Sequence, residues 1–191
     1  MAAATLPSIS RPLVHYTIAE LDALDLPTGV RYELVHGQLL VSTLGSLRHQ
    51  RIAIRLAHLL RDYVRASGPG EVVSPGAILV GDDSQLQPDV LVFPSPRGRS
   101  PDWREVAAWW LAIEVLSPST REKDLLVKRD AYLEFGVHQI WFADPIADTV
   151  SIVRPSMSDV KLHSPDVLSW QAPGSPRPID IDLAEIFAER S

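Results

Sequence analysis

The chain contains no cysteine in 191 residues. That excludes disulfides and thiolate metal sites, and it fits a reducing, cytoplasmic setting. No apolar run approaches the roughly 20 residues of a membrane-spanning helix, so no membrane association is expected. Met1-Ala2-Ala3-Ala4-Thr5-Leu6-Pro7 has neither a basic n-region nor an apolar h-region, and is not a secretory signal. No two histidines stand at i,i+4, which argues against a histidine zinc site. A Gly-rich phosphate loop, a Gly-x-Ser-x-Gly elbow and a dinucleotide fingerprint are all missing. Positive charge is also scarce. The formal charge of −6 argues against a protein that coats nucleic acid nonspecifically, while leaving room for a local basic groove.

What is present suits one domain with a real core: 46% hydrophobic and 22% charged residues. We expect a flexible arm over 1–15 and a single domain over 16–191. Thr17 and Glu20 form a capping-box pattern for a short helix with Leu21 and Leu24 facing inward. His36-Gly37 sits at hairpin spacing between the strands 31–35 and 38–41. Residues 47–66 carry Ile52, Leu56, Leu59, Leu60 and Tyr63 at helical steps, with Arg48, Arg51, Arg55, His58 and Arg65 opposite. Short strands are expected at 71–73, 77–80, 139–143 and 149–153, with helices at 119–135 and 183–189. The stretch 155–178 is rich in Pro and Ser and gives no clear reading. Strand, helix and strand follow one another around Glu114, which favours a mixed α/β sheet.

Two stretches organise the rest. Gln87-Pro88-Asp89-Val90-Leu91-Val92-Phe93 and Leu111-Ala112-Ile113-Glu114-Val115-Leu116 read as strands covered on both faces, each with one carboxylate. A buried acid costs several kcal/mol unless it is paired. Two such acids on neighbouring strands repel each other, and a divalent cation relieves that. The Val115 carbonyl offers a further oxygen ligand. Along the following helix, Asp124, Val127, Lys128, Ala131, Tyr132 and Phe135 form one stripe. If it faces the sheet, Lys128 meets the acids and is placed to orient a water whose pKa the metal lowers.

Each of these residues has an ordinary reading as well. Asp124 and Lys128 form an i,i+4 pair, commonly solvated and worth tenths of a kcal/mol, with Leu125, Leu126 and Leu133 as the core face instead. On side-chain chemistry alone that is the favoured reading. Asp89 after Pro88 suits a strand-entry turn. The arginine face of the long helix reads first as solvated surface, and its functional version is contact with a nucleic-acid backbone. Trp109 and Trp110 read as core or interface anchors. Glu33 alternates with Tyr32 and Leu34 and fits an outward strand position. His49 could cap its helix, pair with a carboxylate or touch phosphate.

An ordered series of stretches resembles the Uma family of restriction-endonuclease-like proteins, in the PD-(D/E)XK nuclease superfamily. It runs Arg31-Tyr32-Glu33-Leu34-Val35-His36-Gly37-Gln38-Leu39, His49-Gln50-Arg51-Ile52, Gln87-Pro88-Asp89-Val90-Leu91-Val92, then Glu114-Val115-Leu116-Ser117-Pro118-Ser119-Thr120. It continues through 124–132, Gly136-Val137-His138-Gln139-Ile140-Trp141, Asp144-Pro145 and 181–187. The resemblance implies a restriction-endonuclease-like mixed central sheet flanked by helices, with an added N-terminal hairpin. It implies a divalent-metal site from Asp89 and Glu114, with Lys128 as the superfamily lysine displaced onto the next helix. Glu33 and His49 match positions kept near that site. Two departures stand out: Glu114-Val115-Leu116 ends in leucine where the usual acid-x-Lys triplet has lysine, and His36-Gly37-Gln38 replaces a frequent Asp-Gly-Glu.

The combined expectation is an endonuclease hydrolysing DNA phosphodiester bonds with Mg²⁺ or Mn²⁺. Asp89, Glu114 and Val115 hold the metal, Lys128 positions the water, and Glu33 assists. His49, Arg51, Asp124 and Tyr132 are candidate substrate contacts. Leu116 and the net acidity motivate the alternative, a catalytically silent nucleic-acid- or protein-binding module on the same fold. Tryptophan and leucine stretches suggest a homodimer.

Overall fold

The computed structural model describes residues 14–68, 70–95, 102–106 and 108–189. Most of the expected arm, residues 1–13, and most of the linker before Trp103, residues 96–101, lie outside the described residues. Helix α1 (Ile18–Asp22) opens with the expected capping box: Thr17 Oγ1 accepts from the Glu20 N–H and Glu20 Oε2 from the Thr17 N–H. Leu21 is buried, but Leu24 is exposed, because the helix ends before reaching it. Strands β1 (Val30–Val35) and β2 (Gln38–Thr43) pair from Val35↔Gln38 outward. Their two-residue turn has φ 47° at His36 and 72° at Gly37, the doubly positive geometry that a tight hairpin demands.

That hairpin is not a free-standing addition. β4 (Ile78–Val80) and β5 (Ser84–Leu86) form a second hairpin, and β5 pairs with β1. The result is a four-stranded antiparallel sheet in the order β2-β1-β5-β4. Ser84-Gln85-Leu86 is too short and too polar to read as a strand by pattern, so its pairing is a tertiary matter.

The central sheet has six strands in the order β10-β9-β8-β7-β6-β3. These are β3 (Gly70–Val73), β6 (Val90–Pro94), β7 (Leu111–Val115), β8 (Ile140–Asp144), β9 (Thr149–Val153) and β10 (Val160–His163). Only β7 and β8 run parallel, joined by the helical crossover, so the sheet is mixed as expected. β11 (Val167–Trp170) and β12 (Ile179–Asp182) make a separate ribbon, and β10 and β11 give strand structure to part of the unread stretch.

Helix α2 (Leu47–Ser67) covers one face of this sheet, with Ser46 Oγ accepting from the His49 N–H at its start. Ile52, Leu56, Leu60 and Val64 pack on Val90, Val92, Ile113, Val115 and Trp141. Each such side chain contributes about 1.5–3 kcal/mol by burial, so this stripe outweighs any arginine pair on the outer side. The crossover lies on the other face as α3 (Arg121–Lys123), a π-helical segment (Asp124–Lys128) and α4 (Arg129–Glu134). Thr120 makes no side-chain cap; Ser117 Oγ accepts from the Thr120 N–H instead. Gly136, at φ 84°, takes the left-handed position past the helix end. Trp109 and Trp110 are buried in the core and supply no dimer surface. α5 (Leu183–Phe187) is two residues shorter than expected and is capped by Asp182.

Candidate active site

The pairing of β6 with β7 sets the site. Val90 stands opposite Ile113, so Asp89, just before β6, comes level with Glu114 near the end of β7. Asp89 does not extend the backbone ladder. Its Oδ2 accepts from the Val115 N–H at 2.9 Å, so a carboxylate takes the place of the next strand carbonyl. Glu114 stays in the strand and faces α4 with Ala112 and Leu116, the alternation expected of a pleat.

Around these two acids the chain gathers a buried set of charges. Asp89 Oδ1 lies 3.0 Å from Arg31 Nη2, and Asp89 Oδ2 lies 3.1 Å from His49 Nε2. Glu114 Oε1 is 3.1 Å from Lys128 Nζ and accepts from the Tyr132 hydroxyl at 2.5 Å. Lys128 Nζ also meets Glu33 Oε2 at 2.7 Å and Asp124 Oδ1 at 3.4 Å. Its three donors therefore face three carboxylates. Glu33 Oε1 accepts from the Gln87 N–H at 2.8 Å, which ties the hairpin sheet to the approach to β6.

The solvated reading of Asp124 and Lys128 is overturned: they are 2% and 4% exposed, whereas Leu126 is 60% exposed. The π segment explains how. Four-residue steps overshoot an α-helical turn of 3.6 residues, while the wider i→i+5 turn, closed by the Arg129 N–H on the Asp124 carbonyl, takes the drift back. Asp124, Lys128 and Tyr132 thereby stay in one line facing Glu114.

The electrostatics follow from burial and partners. Burial pushes the Asp89 carboxyl up, but His49, Arg31 and the Val115 N–H more than compensate and leave it below its usual range. Burial pushes Glu114 well above the ordinary carboxylate range; Lys128 opposes this, while Asp124, Asp89 and Glu33 reinforce it. Burial lowers Lys128, yet Glu114, Glu33 and Asp124 together raise it above the usual lysine value. Lys128 is thus a permanent cation and no proton acceptor. Burial and Glu114 keep the Tyr132 phenol protonated. Four carboxyl groups, those of Glu33, Asp89, Glu114 and Asp124, thus crowd around two permanent cations, Arg31 and Lys128.

Asp89, Glu114, Val115, Asp124, Lys128 and His49 line one small opening of about 20 Å³, room for about one water or ion. Glu33 and Tyr132 contact the cluster from behind that opening. Arg51 is exposed on α2 beside a separate surface cavity with Arg48 and Arg55. Leu116 is in the core. Among the described residues no three His, Asp or Glu side chains form a metal cage by themselves. Sequence reasoning missed Arg31 and Gly45, which also line the opening. Arg31 alternates with Glu33 on one strand face, a signal available from spacing; Gly45, pressed against the His49 ring, gave none.

A family profile described as "Putative restriction endonuclease", Uma2, matches residues 18–177. A crystal structure of "a putative nuclease belonging to DUF820" from Anabaena variabilis ATCC 29413 is similar at TM-score 0.72. It covers 90% of this chain and 97% of its own at 19% identity, a likeness of fold. No curated protein matches in sequence. The matched span contains every member of the charged cluster, so the chain belongs to the Uma2 family of restriction-endonuclease-like proteins, and its function is nuclease-like.

Proposed function

We propose that this protein is a divalent-metal-dependent endonuclease that hydrolyses DNA phosphodiester bonds. The observation that carries the reading is the convergence of Asp89 and Glu114, with Asp124 beside them, on a small one-ion opening within a cluster of four carboxyl groups. The donor set fits a hard cation: carboxylate oxygens suit Mg²⁺ or Mn²⁺, and Mg²⁺ needs only one or two of them beside waters. In this reading Asp89, Glu114 and the Val115 carbonyl hold it. When bound, such an ion polarises a phosphoryl oxygen and makes water a nucleophile near neutral pH.

The chain's own residues supply the rest. Lys128, held protonated, orients the attacking water and counters charge on the phosphate. Asp124 is its most distant acid partner and the one whose release frees a donor towards the opening. Glu33 and Tyr132 act as positioning residues, Glu33 on Lys128 and Tyr132 on Glu114. His49 and Arg31 hold Asp89, with His49 also at the mouth for substrate. Arg51, exposed on α2, contacts a neighbouring backbone phosphate in this reading.

The test is cleavage of plasmid and of single-stranded DNA with Mg²⁺ or Mn²⁺ by the natural protein, Asp89→Ala and Glu114→Ala. We expect cleavage only by the natural protein, with all three equally folded by circular dichroism. Unchanged cleavage in both variants would refute the proposal. DNA binding with no nicking by the natural protein would identify the catalytically silent module instead.

A further inference from the structure

Beside the carboxylate opening lies a second, larger groove of about 340 Å³, and the two share Gly45 and Ser117 as a common wall. Its sides are apolar and open to solvent: Leu44 is 71% exposed and Ile146 77%, and Pro118 and Pro145 join them in the lining. Arg48 also lines it, with its charge paired: Nη1 donates to Glu189 and Nη2 to Asp148 and the Phe187 carbonyl. The groove therefore offers apolar walls and serine hydroxyls, with no uncommitted cation among its lining residues. It suits a flat neutral ring rather than a phosphate.

We propose that this groove takes an unstacked nucleobase adjoining the scissile phosphodiester, so that the preferred substrate is single-stranded or locally melted DNA. The inference rests on the hydrolytic reading for the position of the phosphate. The carboxylate opening admits a water or an ion and no sugar or base. The reacting phosphate must sit at its mouth, and the attached nucleoside must lie along an adjoining surface. Across the Gly45–Ser117 wall that surface is the apolar groove, whose Leu44 and Ile146 side chains offer apolar contact to a ring. A base inside a duplex cannot reach such a slot without leaving the stack, whereas single strands present every base to apolar platforms.

The experiment measures binding apart from chemistry. Anisotropy of a labelled single-stranded oligonucleotide and of its duplex is read in EDTA, and again with Ca²⁺, for the natural protein and for Leu44→Ser with Ile146→Ser. Both side chains are exposed, so the double variant keeps the fold. We expect tighter binding of the single strand, a loss of about tenfold in the variant for that strand, and no change for the duplex. Equal affinity for both forms, an equal loss on both, or no binding of the single strand overturns the proposal. The two readings fail separately. Strand preference without Mg²⁺- or Mn²⁺-dependent nicking removes hydrolysis and keeps the groove; Asp89-dependent nicking with no strand preference does the reverse.

Discussion

Lys128 has the clearest consequence at the scale of single residues. Removing its charge in Lys128→Met leaves Glu33, Glu114 and Asp124 buried together without a cation, and breaking such a set costs about 3–5 kcal/mol. Glu114→Gln, which mimics a carboxyl already pushed toward its neutral form, should cost less than about 1 kcal/mol while abolishing metal-dependent cleavage. Urea denaturation of both variants checks the contrast, and a similar loss in the two would disprove this picture of Glu114. Gly45 gives a steric case. A Cβ there would lie 2.4 Å from His49 Cγ and 2.5 Å from Nδ1, so Gly45→Ala must turn the ring away from Asp89. The expected outcome is intact folding with cleavage reduced about tenfold or more, as for a misplaced positioning group. Cleavage at the natural rate would show that the His49–Asp89 contact does not matter.

Elements decide whether those residues meet. The π segment is one such device. Deleting Leu126, which is exposed, closes Asp124 and Lys128 to a three-residue spacing and turns the line away from Glu114. We expect helical circular dichroism to persist and cleavage to be lost. A second device is the pairing of Arg121 Nη1 with Asp144 Oδ2 at 2.6 Å, which ties the start of the crossover to the end of β8. Burial alone would raise the Asp144 carboxyl, but Arg121 and the Ile146 and Ala147 N–H groups hold it below its usual value. A folded carboxyl lowered in this way stabilises above its unfolded value of about 3.9, and that contribution is lost as pH falls through the folded value. Asp144→Asn should therefore cost about 2 kcal/mol at neutral pH, with the gap from the natural protein closing below about pH 4. A gap that stays constant down to pH 2 would contradict it.

For the whole molecule, the crowding of carboxyl groups at the opening predicts linkage between metal, protons and stability. Mn²⁺ should raise the melting temperature by mass action, and Asp89→Ala should remove the effect. Because Glu114 retains protons to unusually high pH, ion binding should release protons and weaken as the medium is acidified. Calorimetry in two buffers of different ionisation enthalpy measures that release; a heat independent of buffer would count against Glu114 as a ligand. The chain carries no helix among the described residues long and apolar enough to cross a membrane. The tryptophans that suggested a two-fold interface are buried, so any homodimer would have to use other surface, and light scattering measures whether one forms.

Much of this was legible in the chain itself. The His36-Gly37 turn, the stripe of α2 and the apolar strands of Asp89 and Glu114 are local patterns, set by backbone sterics and hydrophobic period over a few residues. The antagonism between Asp124–Lys128 as a surface pair and as a buried one could not be resolved locally, since spacing at i,i+4 is the same in both. Only the packed structure settled it, through one π turn and through the arrival of Glu33 and Arg31 from a second sheet whose strand β5 has almost no pattern of its own. Local sequence determined which elements form and which residues carry charge. Long-range burial decided which charges must share a pocket, because desolvation and Coulomb repulsion depend on distances that exist only once the sheets are assembled.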